Sequence, residues 1–259
     1  MKKKALLIAP AVALGLTTMA GAPAMADHAA GSYSTTLNQL NNSGASGTAW
    51  IDVNGTEATV TIETSGLAET FMDGPYPHVQ HIHIGAQGAC PTMADDADGD
   101  GVLSTPEGQP AYGMIGTTLS LEGSTGPEAG TDVTVAPSGS SFTYERTFEL
   151  NQETQDSLAN GTAVVVVHGL DPATQPAAAT EKMSTLPGAE SLPLAATAPA
   201  LCGPLQMQPA GGADTGVDVA AAGETAGTTD AGAVALGGAG LLAALGGAYA
   251  VRRRMVAGR

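Results

Sequence analysis

Short segments with the composition and alternation of β-strands are the feature that most restricts what this chain can fold into. Residues 49–53 (AWIDV) and 58–62 (ATVTI) flank Asn54-Gly55, a dipeptide typical of tight hairpin turns. Further alternating or β-branched segments predict strands at 81–84, 142–150 and 163–167. Many short strands separated by Gly- and Pro-containing turns are typical of a β-sandwich or barrel. We therefore predict a mainly β domain.

One helix and one long loop are predicted among these strands. The helix covers 152–159, with Asn151 as its N-cap and Asn160-Gly161 at its end. Irregular chain is predicted from 85 to 113. Loops of that length are usually functional, so we look for binding residues there.

The first 26 residues have the organisation of a cleaved signal peptide. Lys2, Lys3 and Lys4 form a basic start, 5–16 is apolar, and Ala24-Met25-Ala26 is a small-residue cleavage site. The alternative is a first transmembrane helix, but the apolar run is short and ends in the cleavage site. We predict export and removal of residues 1–26.

The other end of the chain predicts a membrane anchor. Residues 231–251 carry no charge, and a helix of that length would span about 31 Å, close to the thickness of a bilayer core. Basic residues favour the cytoplasmic side, so the arginines that begin at Arg252 make 252–259 a cytoplasmic tail. The alternative is a disordered Gly/Ala tail, since six of the 21 residues are Gly. We predict a transmembrane helix that anchors the protein in the cell membrane with its main domain outside.

A flexible stalk and one extracellular domain complete the predicted organisation. Residues 211–230 are rich in Gly, Ala, Thr and Asp and lack large apolar side chains, which is typical of a flexible linker. The remaining residues, 27–210, suffice for one domain.

The segment between the two apolar ends is strongly acidic. Residues 27–230 hold all 25 acidic residues of the chain against only Arg146 and Lys182, a formal charge of −23. Nucleic acids and anionic lipids bind basic patches, so the sequence argues against both as partners of this domain and favours cations. The alternative is that the charge serves only solubility. No protein or glycan partner is indicated.

Two cysteines, Cys90 and Cys202, form an even pair in a chain that we predict to be exported. In an oxidising compartment such a pair indicates a disulfide. Two free thiols or a metal site are the less favoured alternatives.

A twelve-residue calcium-loop pattern lies inside the long loop, from Asp96 to Glu107. Its spacing matches the ligand positions of the EF-hand loop, with Gly101 at the sharp turn and Leu103 at the usual apolar place. No amphipathic helix is predicted on either side, so the loop would be grafted onto a β-domain. The alternative is an acidic loop without metal. The candidate Ca²⁺ ligands are Asp96, Asp98, Asp100, the Val102 carbonyl, Ser104 and Glu107.

Histidines form a second cluster of candidate metal ligands. His81 and His83 project from the same face of a strand, and two imidazoles on one face can bind a transition metal such as copper. His78 lies just before them, and His168 follows the apolar strand. The alternative is a set of polar groups at a strand edge without metal. His28 would be second in the mature chain, where the new amine and its imidazole could chelate copper, but a flexible N-terminus without metal is the favoured interpretation.

Several motifs follow one another in a characteristic order across 32–207. They are His78-Val79-Gln80-His81-Ile82-His83, Cys90-Pro91, Asp98-Gly99-Asp100-Gly101, Glu107-Gly108, Tyr112-Gly113, Tyr144-Glu145-Arg146-Thr147, Val167-His168-Gly169 and Leu201-Cys202-Gly203. As a set they resemble exported bacterial proteins with a CHRD (chordin-type) domain. The resemblance implies a β-sandwich in an extracellular setting, without a settled activity.

A more distant likeness is to copper/zinc superoxide dismutases. It rests on the His81-x-His83 strand, the cysteine that follows it, the late Val-Val-His ending at His168, and the final Cys202-Gly203. The likeness implies a Greek-key β-sandwich and copper ligation by His81, His83 and His168. No histidine lies between Cys90 and His168, so the zinc ligands of that family have no counterpart. The family's guiding basic residue is absent from 198–201, and a strongly negative field would repel an anionic substrate.

These features lead to one functional hypothesis with two alternatives. We expect a membrane-anchored extracellular CHRD-like β-domain with a calcium-binding loop and a candidate copper site, serving a binding or structural role at the cell surface. The alternatives are a copper superoxide dismutase-like redox protein and an adhesion module. No nucleophile arrangement of the Ser/His/Asp or Cys/His kind stands out, so no catalytic residue is predicted.

Overall fold

The structure is a computed structural model that describes residues 29–209. Within that range the chain is mainly β, as the sequence predicts, and its long strands pair antiparallel. The strands are β1 (Gly31–Gln39), β2 (Ser46–Asn54), β3 (Glu57–Ser65), β4 (Thr70–Phe71), β5 (Gly74–Pro75), β6 (Gln80–Ile84), β7 (Met114–Thr118), β8 (Ser141–Glu149), β9 (Val164–His168), β10 (Pro199–Pro204) and β11 (Gln206–Met207).

One strand joins the two arms of the main sheet. The strand order is β7-β6-β9-β10-β1-β2-β3-β8, and β4 pairs with β5 separately. Residues 31–37 of β1 pair with β2, whereas Asn38 and Gln39 pair with β10. The hydrogen-bonded strands therefore form one continuous curled sheet.

The core fills the inside of this curl. Ile51 and Ile62 from the arm of β2 and β3 share one apolar cluster with Ile82, Val165 and Leu201 from the other arm. Strands β2 and β3 bury alternate residues, as their period-two pattern predicts. In contrast, β6 and β9 are buried on both faces, so their second face also contacts other parts of the domain.

The predicted hairpin forms, with its turn shifted by one residue. Asn54 pairs with Glu57, so the two linking residues are Gly55 and Thr56 and not Asn54-Gly55. Gly55 has φ of 64°, which a glycine adopts at little cost. The sequence thus identified the hairpin correctly and its register only approximately.

The single predicted helix is confirmed, but the expectation of only one short helix is wrong. Helix α2 (Gln152–Ala159) has the predicted bounds, and the Asn151 side chain accepts from the Thr154 N–H at 2.8 Å. The other helices within residues 29–209 are α1 (Thr105–Tyr112), α3 (Ala178–Glu181), α4 (Leu194–Thr197) and short 3-10 turns.

Helix α1 also corrects the prediction of irregular chain from 85 to 113. Gly108 and Pro110 suggest a loop, yet the helix forms because Ser104 and Glu107 make a capping box at its start. Pro106 lies in the first turn, where a missing N–H costs nothing. The sequence contained this start signal, which we assigned only to calcium.

A disulfide connects the long loop to the sheet. Cys90 and Cys202 are bonded, with their Cα atoms 5.8 Å apart and a separation of 112 positions in the sequence. Cys202 lies in β10 and packs with Tyr112, Val164 and Val166 on the outer face of β9. The predicted cysteine pairing is present.

The predicted ends of the chain lie outside the described residues. These are the signal peptide at 1–26, the stalk at 211–230, the transmembrane helix at 231–251 and the tail at 252–259, which all stay predictions. None of the helices within residues 29–209 combines the length and apolar character that a bilayer crossing requires.

Removing the disulfide should destabilise the domain substantially. Chain-entropy arguments give about 4–5 kcal/mol for a closed loop of this size, because the bond restricts the unfolded chain. We expect the double variant Cys90→Ala/Cys202→Ala to lose about that free energy of unfolding in urea titrations of the full chain. Reductant serves as the control, since it should shift the wild-type curve and leave the variant unchanged. Equal midpoints for the two proteins would contradict the prediction.

Candidate metal centre

Three histidines from two neighbouring strands converge on one face of the sheet. Strands β6 and β9 pair so that His81 lies opposite Val166 and His83 opposite Val164. Because side chains alternate along a strand, His168 projects from the same face as these valines and both histidines. The ring centroids are 5.2 Å apart for His81 and His168 and 5.5 Å apart for His81 and His83. One nitrogen from each ring lies within 4.8 Å of the other two.

Each of these rings is oriented by a backbone carbonyl. His81 Nε2 lies 2.9 Å from the Gly130 oxygen, His83 Nδ1 3.0 Å from the Gly113 oxygen, and His168 Nδ1 2.8 Å from the Thr197 oxygen. A carbonyl oxygen only accepts, so the nitrogen that faces it carries the proton. This arrangement fixes the tautomer of all three rings, which is how proteins usually orient metal-binding histidines.

The opposite ring nitrogens are buried without a hydrogen-bond partner. They are His81 Nδ1, His83 Nε2 and His168 Nε2, and none contacts a donor within the described part of the chain. Buried polar atoms normally find a partner. Three unpartnered lone pairs in one place therefore form a ligand set with which a metal ion of the imidazole-binding class is compatible.

Burial keeps the three imidazoles neutral. Desolvation lowers the pKa of His83 to about 3 and that of His168 to about 4, and it lowers the pKa of His81 well below its ordinary value. The proximity of His168 lowers the pKa of His81 and His83 further, because two nearby cations would repel. Neutral rings keep the lone pairs that a metal needs.

Helix α1 supports the centre from its outer side, a role that the sequence did not reveal. The Tyr112 ring packs edge-on against the His83 ring at 4.6 Å, and its hydroxyl donates to the Thr105 carbonyl at 2.8 Å. Gly113 ends the helix with φ of 95°, and a Cβ there would collide with the Ile84 carbonyl. This glycine thereby lets its own carbonyl reach His83.

His78, which we expected as a further copper ligand, lies outside this group. Its Nδ1 is 2.9 Å from the His168 carbonyl and its Nε2 is 2.9 Å from the Ala68 carbonyl. Both nitrogens thus face the backbone, and the ring stacks on Tyr76 at 4.8 Å. Alternation along one strand could not predict this, because His78 precedes β6 and belongs to a different segment.

The acidic loop brings together half of the predicted calcium ligands. Carboxylate oxygens of Asp96, Asp98 and Glu107 lie within 4.8 Å of one another. Glu107 accepts from the Ala97, Asp98 and Ser104 N–H groups and from the Ser104 hydroxyl. Burial raises the pKa of Glu107, but these hydrogen bonds outweigh it and lower the pKa overall. The loop's own N–H and hydroxyl groups therefore provide part of the hydrogen bonding that its carboxylates need. Ser104 is also the N-cap residue of α1.

Lys182 provides a cation at the same loop. Its ammonium lies 2.8 Å from Asp98 Oδ2 and 2.7 Å from Asp100 Oδ2. Hydrogen bonding to Lys182 lowers the pKa of Asp98. Asp100 is thus paired with an amine and is not part of the group formed by Asp96, Asp98 and Glu107. Lys182 is the only lysine between residues 27 and 230, a signal that could have identified it.

Two further residues, to which the sequence analysis assigned no structural role, hold loops in place. The buried Asn41 donates to the Leu103 and Pro199 carbonyls and accepts from the Leu103 N–H at 2.7 Å, which attaches the acidic loop to the core. Arg146 donates to the Ser120 and Gly123 carbonyls at 2.7 and 2.6 Å. Arg146 is one of only two basic residues between 27 and 230, but neither role can be read from the sequence, because the partners are backbone atoms far along the chain.

Comparisons with known proteins leave the family open. No protein-family profile matches the sequence. No curated protein matches it either. A solved structure that it matches is a mutant of superoxide dismutase 5 from Candida albicans, with 14% identity over 71% of this chain and 96% of that chain and a TM-score of 0.37. A similarity this low carries no argument about function.

The neutral histidines should make the metal-free protein sensitive to acid. Their pKa values are lowered on folding, so below about pH 6.5 the unfolded chain binds protons that the folded chain does not. The contribution of the neutral histidines to the free energy of unfolding is therefore fully present above that pH, and it decreases as the pH falls towards 4. Each histidine lowers the free energy of unfolding by about 1.4 kcal/mol for each pH unit of this decrease. Urea unfolding in the presence of a chelator at pH 7, 6 and 5 measures the slope.

A matched variant separates the histidines from the carboxylates, which titrate in both proteins. In His83→Phe a ring of similar size remains but cannot bind a proton. We expect its free energy of unfolding to depend less steeply on pH than that of the wild type between pH 6.5 and 4. Parallel pH profiles would contradict this account of the site.

Proposed function

We propose that this domain binds one copper ion through His81 Nδ1, His83 Nε2 and His168 Nε2. The observation that carries the proposal is the convergence of three buried, unpartnered ring nitrogens whose opposite nitrogens face carbonyl oxygens. Imidazole suits copper, zinc and nickel, and among divalent ions of this series Cu²⁺ binds a given nitrogen site most tightly. Zinc is the competing ion.

The donor set meets the requirements of such an ion. Metal binding needs neutral imidazole, and burial lowers the pKa of all three rings. The Gly130, Gly113 and Thr197 carbonyls hold the rings in orientation. Bound copper supplies one-electron redox chemistry. The protein's own residues hold the rings in orientation, and burial of the three side chains limits the access of water to them.

A binding or structural role at the cell surface remains our preferred function, with a copper superoxide dismutase-like redox protein as the alternative. The acidic segment carries a formal charge of −23, which would repel an anionic substrate. The adhesion alternative stays an untested prediction, as do membership of the CHRD family and a Greek-key sandwich of the superoxide dismutase type.

Export and membrane anchoring also enter as proposals. The Cys90–Cys202 disulfide supports an oxidising compartment, and the apolar segments at both ends of the sequence support a signal peptide and an anchor. We expect the mature protein to begin at Asp27 and to resist extraction from membranes by alkaline carbonate. An N-terminal mass that retains residues 1–26, or release by carbonate, would contradict the proposal.

A second proposal is that the acidic loop binds Ca²⁺. It is supported by the proximity of Asp96, Asp98 and Glu107, whose hard carboxylate oxygens are the ligands that Ca²⁺ prefers. Asp100, the Val102 carbonyl and Ser104 complete the predicted set. Ca²⁺ would compete with the Lys182 ammonium for Asp98 and Asp100, so we expect weak binding that suits extracellular concentrations.

Copper binding should depend on the three histidines. The metal-free full chain should take up one equivalent of Cu²⁺, measured by elemental analysis after gel filtration and by the nitrogen couplings in its paramagnetic resonance spectrum. We expect His81→Ala to lose this copper, because two imidazoles bind less tightly than three. His28→Ala is the matched control and should retain it. Loss of copper in His28→Ala with full retention in His81→Ala would contradict the proposal. Preferential uptake of zinc from a mixed-metal solution would show that zinc, and not copper, is the ion of this site.

Calcium binding should appear as a calcium-dependent rise in the melting temperature of the full chain at millimolar Ca²⁺. We expect Asp96→Asn to abolish that rise and Lys182→Met to enlarge it, because the competing ammonium is gone. Glu122→Gln removes one exposed negative charge elsewhere and serves as the control. An equal response in the wild type and Asp96→Asn would show that the loop needs no calcium.

A further inference from the structure

A cavity of about 430 Å³ adjoins the three histidines. His81, His83 and His168 all line it, together with residues of the segments around 127–133 and 186–197. Because those segments are far from the histidines in sequence, the cavity exists only in the folded chain. Its volume is within the range of small-molecule binding sites, about 300–1,000 Å³.

Apolar side chains dominate the wall of this cavity. Phe71, Val79, Ile115, Val133, Leu186 and Leu192 line it. We call this set the apolar wall. Each member is only partly buried or exposed, and Val133 is 41% exposed. Apolar surface left open in a concavity marks a ligand site more often than it does on a convex surface.

Aromatic rings form one side of the cavity. Phe71 and Tyr76 are stacked with their ring centroids 4.8 Å apart, and both line the cavity. Stacked rings present flat faces and edges that favour a further planar ring as a neighbour.

The charges around the cavity do not suit an anion. Among its lining residues Glu128 is the only one with a charged side chain, and no lysine or arginine contributes. An anionic ligand would find no basic side chain there and would be repelled by Glu128, so the only positive charge beside it would be that of the bound ion. A diatomic molecule would also leave most of the cavity volume unused.

We infer that the cavity binds a neutral aromatic molecule whose ring lies against the apolar wall and whose single lone-pair donor points towards the three histidines. The inference deepens the proposed function, because it names the ligand class of the same site and rests on a metal ion there for the donor contact. The ring contact depends only on the apolar wall, which makes the two parts separately testable. Thr105 and Gln109 add polar groups on the side of α1.

A matched pair of probes tests the ring contact in the copper-loaded full chain. Imidazole supplies the donor atom alone, and 4-phenylimidazole adds an apolar ring to the same donor. Burying a ring of that size should tighten binding about tenfold or more, measured by titration of the copper absorption bands. Equal affinities for the two probes would overturn the inference.

Substitution of the wall tests where the ring lies. Leu186→Asn introduces a polar group without charge in a loop, and Leu192→Asn is the second variant if the first fails to fold. We expect either to weaken 4-phenylimidazole about fivefold or more while leaving imidazole unchanged. Leu121→Asn is the control, since Leu121 is 52% exposed and does not line the cavity. An unchanged affinity of the wall variants for 4-phenylimidazole would contradict the assignment.

A metal-free experiment separates this inference from the copper proposal. Toluene has a ring and no donor, and ligand-observed NMR with the chelator-treated full chain should detect its binding and its loss in Leu186→Asn. Toluene binding without copper binding would refute the copper proposal and leave the apolar site. Copper binding with no discrimination between the probes and no toluene binding would refute the apolar site and leave the copper proposal.

Discussion

The antiparallel pairing of β6 with β9 positions side chains of both the apolar core and the candidate metal centre. Its register places Ile82 opposite Val165 and His83 opposite Val164. Because successive residues face opposite sides, one ladder directs Ile82 and Val165 into the core and the histidines to the other face. A slip by one residue would exchange the faces of one strand. It would then bury imidazoles in the apolar core, so the hydrophobic core itself fixes the position of the site.

Three buried imidazoles with unpartnered nitrogens are unfavourable for folding alone. Each loses hydration on one nitrogen, and each must stay neutral in a region from which water is largely excluded. The carbonyls of Gly113, Gly130 and Thr197 offset part of that cost by accepting a hydrogen bond from the other nitrogen. The same bonds hold the lone pairs in one place. A metal ion would bind the three ring nitrogens that have no hydrogen-bond partner. This is the physical reason for assigning a function to this cluster.

Helix α1 connects the acidic loop to the histidines over only eight residues. Glu107 in its first turn accepts hydrogen bonds from the loop, and Tyr112 and Gly113 at its end contact His83. A capping box and a calcium loop use the same residue types at the same spacing, Ser104 and Glu107. For that reason the twelve-residue pattern alone did not distinguish a helix start from an ion site. The Lys182 ammonium pairs with two other carboxylates of the predicted calcium set, those of Asp98 and Asp100.

The sequence by itself determined the local features of this protein. Alternation and turn residues predicted the β2–β3 hairpin, β6, β8 and β9, the Asn151-capped helix α2 was predicted with its observed bounds, and the cysteine pairing followed from composition. Alternation also placed His81 and His83 on one face. Weakly apolar strands such as β1 and β7 were missed because small and polar residues give no clear periodicity. The likeness to superoxide dismutases suggested His168 as a third ligand, but only the tertiary structure decided that it lies beside this pair while His78 does not, and that Lys182 binds the acidic loop. These contacts join residues that are distant along the chain, and local patterns carry no information about which distant backbone carbonyl or ammonium group folding brings alongside.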